Sequence, residues 1–149
     1  MSSLAVRNLV RNFLADKSTE NVVDLTGHFE DLRVLLNEEG IQPDAPWLGL
    51  EFIGDDELPV SLAATNDQGL YREVGSIVLH VCTMGAIGCG YDLENRGEVL
   101  RDLFRGERIG GVVIESVSPI RTGPGATLEF EGGYVSGSIT VGYYYDKVF

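Results

Sequence analysis

The stretch Tyr71-Arg72-Glu73-Val74-Gly75-Ser76-Ile77-Val78-Leu79-His80-Val81-Cys82 decides how this chain folds. Ile77, Leu79 and Val81 share one face by period two, and Val78, His80 and Cys82 share the other. One face is wholly aliphatic and the other mixed, which predicts a strand with one covered and one wetter face. A glycine-rich corner follows, Met84-Gly85-Ala86-Ile87-Gly88-Cys89-Gly90. Beyond it the spacing predicts a helix that folds back on the strand, with Asp92 as N-cap and Gly106 at the left-handed C′ position. Leu93, Leu100, Leu103 and Phe104 form its apolar side, with Arg96, Arg101 and Asp102 elsewhere.

Working outward, residues 3–15 read as an amphipathic helix capped by Ser2 or Ser3, with Val6, Leu9, Val10, Phe13 and Leu14 on one side. Val22, Val23 and Leu25 suit a short strand. A second helix spans about His28 to Glu39, with Gly40 at C′ and Ile41 touching Leu36. Trp47 to Ile53 is extended, Gly54-Asp55-Asp56-Glu57 reads as a turn, and Pro59 to Ala64 as a short edge strand. Asn66 to Gly69 is a further turn. Gly110 and Gly111 lead into a strand from Val112 to about Ile120, and Thr122 to Gly125 is a loop. Thr127 to Phe130 and a strand from Tyr134 to Tyr145 flank the hairpin signal Gly132-Gly133. In the last strand Val135, Ile139, Val141, Tyr143 and Tyr145 alternate with Ser136, Ser138, Thr140, Gly142 and Tyr144, which predicts one buried and one wet face. The order predicts a single α+β domain over residues 1–149, a mainly antiparallel sheet with helices packed on one face.

Composition narrows the function classes. The 149 residues carry 23 acidic and 11 basic side chains, a formal charge of −12. Such a surface repels phosphate backbones, and no cluster of basic residues offsets it, so specific nucleic-acid binding is not expected. Two cysteines, Cys82 and Cys89, do not make a disulfide framework and point to a reducing cytosol. No apolar run approaches the ~18 residues of a membrane span, and no signal-peptide core is present. Arg7 and Arg11 with no acid give the first fifteen residues only a superficial likeness to a transit peptide.

Candidate chemistry is sparse. His80, Cys82 and Cys89, with His28 at a distance, would be an incomplete soft-metal set, but C-x6-C is not a knuckle spacing, and buried cysteine as a small hydrophobe is the better reading. The acids at 55–57 lack the alternating ligands of a calcium loop. Gly85, Gly88 and Gly90 precede a helix without the lysine of a phosphate loop or the third glycine of a dinucleotide site. Neither histidine sits in a nucleophile motif. No metal, cofactor or catalytic set is expected, and the chain is not read as an enzyme.

Four runs carry a resemblance: Pro46-Trp47-Leu48-Gly49-Leu50-Glu51-Phe52, Tyr71 to Ile77, Leu103-Phe104-Arg105-Gly106 and Tyr143-Tyr144-Tyr145-Asp146. Together they resemble the tail terminator (tail completion) proteins of long-tailed bacteriophages, over roughly Trp47 to the end. The resemblance implies a structural virion protein, assembled in the host cytoplasm, that sits as a hexameric ring on the finished tail tube. Such a ring stops tube growth and offers a surface to the head-completion or neck protein. DNA passes through it without being specifically bound. With that reading, Arg72 and Glu73 are expected at a subunit interface, and Ser136, Ser138 and Thr140 facing the lumen. The alternatives are another neck or minor tail component, or an unrelated acidic binding module or small enzyme.

Overall fold

A computed structural model describes residues 3–26, 32–41, 45–62, 69–84, 89–122 and 134–148. The first helix, α1 (Leu4–Lys17), starts at Ser3, whose Oγ accepts the Val6 N–H, and it buries Val6, Val10 and Leu14. β1 (Val22–Asp24) follows. α2 (Leu32–Glu38) ends as predicted: Gly40 has φ +72°, its N–H donates to Asn37 O, and the Ile41 N–H donates to Leu36 O at 3.0 Å. These two bonds satisfy carbonyls that the last turn would otherwise leave open. The expected helix start at His28 lies outside the described residues.

The segment after Pro46 differs from the sequence reading. β2 runs unbroken in strand conformation from Trp47 to Leu62, paired antiparallel with β3 (Gly69–Met84). The expected turn at Gly54–Glu57 is a bulge: Gly54 faces Gly75 and Asp56 faces Val74, so Asp55 is one residue extra. Val60 is extra in the same way between Pro59 and Ser61, and the expected edge strand from Pro59 is the far end of β2. A long partner strand keeps an acidic segment extended, because a bulge leaves the acids in water without ending the ladder.

α3 (Cys89–Phe104) begins three residues before the expected N-cap, and Asp92 instead lies in its first turn, 3.7 Å from the Arg96 guanidinium. It stops as predicted at Gly106, with φ +71°. The strand expected to begin at Val112 has a partner the sequence reading missed. β4 (Arg108–Ile109) and β5 (Val112–Val117) form a hairpin around Gly110 and Gly111, both at positive φ as a tight two-residue turn requires. β6 (Arg121–Thr122), which includes the first residue of the expected loop, Thr122, pairs with β7 (Tyr134–Val148). The expected strand at Thr127–Phe130, the Gly132-Gly133 turn, the turn residues 66–68 and corner residues 85–88 lie outside the described residues.

The seven strands make one sheet in the order β1-β2-β3-β7-β5-β4, with β6 beside β7; β1–β2 is the parallel pair and the rest are antiparallel. The fold is α+β. On one sheet face Leu48, Leu50, Phe52, Ile77, Leu79, Val81, Ile139, Val141 and Tyr143 meet α1 and α3 in the main core. The helices do not all share that face. α2 packs on the other, where Leu35 and Leu36 join Val23, Leu25, Trp47 and Cys82. Ile120 wedges between α3 and β7, and a Cβ on Gly97 or on Gly137 would lie 2.9 Å from its Cδ1.

Candidate functional site

Strand parity separates Arg72 from Glu73. Glu73 lies on the face of Ile77 and Leu79 and is only 5% exposed. Its Oε2 accepts the Tyr143 hydroxyl at 2.8 Å, and its Oε1 accepts the Ser3 N–H at 3.1 Å and lies 3.1 Å from Lys147 Nζ. Tyr143 reaches it across Gly75, where any Cβ would sit 2.6 Å from the tyrosine oxygen. Burial alone would raise the Glu73 pKa, but the bonds from Tyr143, Lys147 and Ser3 outweigh it and hold the carboxyl below its ordinary value. The negative charge at the start of α1 also faces the positive end of the helix dipole. Glu73, expected at a subunit contact, is therefore turned into its own chain.

Arg72 points to the opposite face. Its guanidinium makes a bidentate pair with Asp146, at 2.7 and 3.0 Å, and lies 4.0 Å from the centroid of the Tyr144 ring. The hydrogen bond from Arg72 holds the Asp146 carboxyl below its usual range. Half of this face is uncovered: Val74, Val78, Val113 and Tyr144 are half-buried, Ile53 is 41% exposed, and among the described residues no helix lies over them.

The three residues expected to face a lumen share that face but not its exposure. Thr140 is exposed and Ser138 half-buried, whereas Ser136 is 1% exposed. Ser136 pairs with Cys82 at the end of the sheet that α2 closes over, which is why alternation alone misjudged it.

His80 stands between them, directly across from Ser138. It is 8% exposed, with Nε2 3.0 Å from Glu51 Oε1. Burial lowers its pKa and the Glu51 carboxylate only partly offsets this, so the ring is neutral near pH 7. Cys82 is fully buried, with its thiol pushed up to about 12 by desolvation, and is not a thiolate ligand in this setting. Among the described residues no group of three or more His, Cys, Asp or Glu side chains converges as a metal set would.

The sequence reading missed Arg96. It is a half-buried staple: Nε and Nη2 hold both oxygens of Glu20 at 2.9 and 2.6 Å, and Nη1 and Nη2 donate to the carbonyls of Cys82 and Trp47. One guanidinium thus ties α3 to the link after α1 and to the ends of β2 and β3. The signal was available, because Arg96 falls three residues after Leu93 and four before Leu100, on the apolar stripe. Glu73 was legible in the same way from its parity with Gly75 and Ile77. In a depression of ≈ 390 Å³ beside Glu20, Asn21, Glu39 and Ile41, the Glu20 carboxylate is taken by Arg96 and the Asn21 amide donates to Pro46 O.

No helix among the described residues is long and apolar enough to cross a membrane. No family model matches the chain, and no curated protein matches it in sequence. One solved structure is similar over 93% of this chain and 94% of its own, at 16% identity and a TM-score of 0.47; at those values the likeness assigns neither a family nor a function.

Proposed function

We propose that the chain is a structural assembly protein that closes a phage tail tube as a hexameric ring, stops its growth and presents a surface for head joining. The observation that carries this reading is the half-covered sheet. Where no helix among the described residues lies over it, the sheet presents half-buried valines, Ile53 and the Arg72–Asp146–Tyr144 group, a mixed apolar and polar surface of the kind subunits bury against one another. Two of the four runs that carry the sequence resemblance are joined across β3 and β7: Arg72 pairs with Asp146 on this face, and Glu73 with Tyr143 on the core face. In the ring Arg72 makes contacts between subunits, and Ser138 and Thr140 line or lie near the DNA passage. The excess of acidic side chains keeps passing DNA from sticking.

Two measurements test this. Size-exclusion chromatography with light scattering, with and without purified tail tubes, should give a closed ring or tube-dependent ring formation; a strict monomer that ignores tubes sinks the reading. Electron microscopy of particles made without the protein should show overlong or headless tails. Normal tails with a defect confined to the neck would favour the neck-component alternative.

A further inference from the structure

We infer that the open stretches of β2 and β5, toward the two sides of the sheet, are built to refuse strand addition, so that copies of this chain do not join edge to edge through them. A strand edge with free backbone donors and acceptors is a template for another chain. β2 has such an edge. β1 covers it only at Leu48–Leu50, after which the Leu25 N–H reaches Leu50 O and Thr26 Oγ1 accepts the Phe52 N–H. From Ile53 to Leu62 nothing among the described residues pairs with its outer side. That open stretch holds both of the strand's irregularities, the extra residues Asp55 and Val60. It also holds Pro59, which has no N–H to offer, and the exposed row Asp55, Asp56 and Glu57.

The opposite edge repeats the arrangement. β4 pairs with β5 at Val112 and Val113, and the Ile114 N–H donates to Glu107 O; just beyond, Glu115 is an extra residue between Ile114 and Ser116, and it is exposed. By contrast, β3 and β7, paired with each other along their whole length, run in unbroken register from Leu70–Val148 to Met84–Tyr134. Among the described residues the bulges therefore occur where the outer side is open, and at each edge one inserted residue is an acid, Asp55 in β2 and Glu115 in β5. A bulge twists the edge out of register with an incoming strand, and a carboxylate at its apex would be dehydrated by one.

The test uses the isolated full chain, without tail tubes, so its result is independent of the ring reading. Asp55→Asn, Asp56→Asn, Glu57→Gln and Glu115→Gln are combined with Pro59→Thr; Asp56→Asn keeps the acceptor that now holds the Glu57 N–H. The variant should keep its circular dichroism and grow into assemblies larger than the parent's, and amide exchange should show new protection within residues 53–62. Size and exchange unchanged from the parent overturn the inference, as does growth without protection in that segment. A companion variant, Asp55→Lys with Asp56→Lys, restores charge of the opposite sign and should stay at the parent's size; if it assembles, charged bulges are not the barrier.

Discussion

The hydroxyl of Tyr143 donates to Glu73 Oε2 at 2.8 Å by lying across Gly75, so a bare backbone position on β3 lets β7 hold a buried carboxylate at the foot of α1. Tyr143→Phe should cost about 1.5–3 kcal/mol, the range for a hydrogen bond to a charged group. Glu73→Gln and the double variant complete a cycle in urea melts. Additive effects would mean that the two groups do not act together.

The same pair sets an acid limit. Glu73 and Asp24 both have folded pKa values below their ordinary 4.5 and 3.8; for each, burial opposes the shift and hydrogen bonds, from Tyr143 and from Arg7 first among them, outweigh it. A depressed carboxylate stabilises fully above its unfolded pKa, and that contribution fades as pH falls through the folded value. Stability should thus be steady above about pH 5 with respect to these groups and decline below their ordinary values. In Tyr143→Phe the folded Glu73 pKa moves back toward its ordinary value, so the stability lost on acidification should be smaller than in the parent in a pH series of thermal melts. An unchanged acid edge would place the sensitivity elsewhere.

Arg96→Met leaves Glu20 half-buried without its partner and frees two carbonyls. The expected loss is about 1.5–3 kcal/mol, the range for hydrogen bonds to charged groups, because both partners are half-buried. Adding Glu20→Met should recover part of it. A loss below about 1 kcal/mol, as for surface pairs, would show that water replaces the guanidinium.

Gly97→Val should destabilise by about 1–3 kcal/mol through overpacking, although valine is the better helix former. Ile120 approaches the missing Cβ with three atoms, at 2.9, 3.0 and 3.2 Å. Ile120→Ala in the same chain should relieve the strain; equal losses with and without it would point to another cause.

Ile139 and Thr140 test the two faces of β7. Ile139 is fully buried, so Ile139→Asp forfeits about 1.5–3 kcal/mol of burial and adds an unpaired charge, enough to unfold most of a domain of ordinary stability. Thr140→Lys, on an exposed position, should stay within about ±0.5 kcal/mol. Ser138→Asp should fall between them, because Ser138 is half-buried across from His80. If Thr140 lies near a DNA passage, Thr140→Lys phage should fold normally and eject DNA slowly; full infectivity would remove Thr140 from the lumen.

Arg72→Ala should barely move the melting temperature, since the pair with Asp146 is solvent-screened; if the chain forms the proposed ring, the same change should weaken its assembly on light scattering. A large loss of melting temperature with assembly intact would make Arg72 a residue of the fold.

Local pattern was enough to determine several elements. Period two placed Ile77, Leu79, Val81, Ile139 and Val141 in the core, and helix spacing with glycine placed the ends of α2 and α3. These are decided by the residue's own neighbours in sequence. What only the tertiary structure decided depends on partners far along the chain. The acids at 55–57 stay in a strand because β3 templates them, and α2 crosses to the second face because Trp47 and Cys82 leave apolar surface there. Ser136 is dry for the same reason, since α2 and Trp47 close that end of the face, while Thr140 on the same strand stays wet. Glu73 and Arg96 keep their charges inside because Tyr143, Lys147, Ser3 and Glu20 arrive from other elements to hold them, and a charge is stable in the interior only where such partners converge.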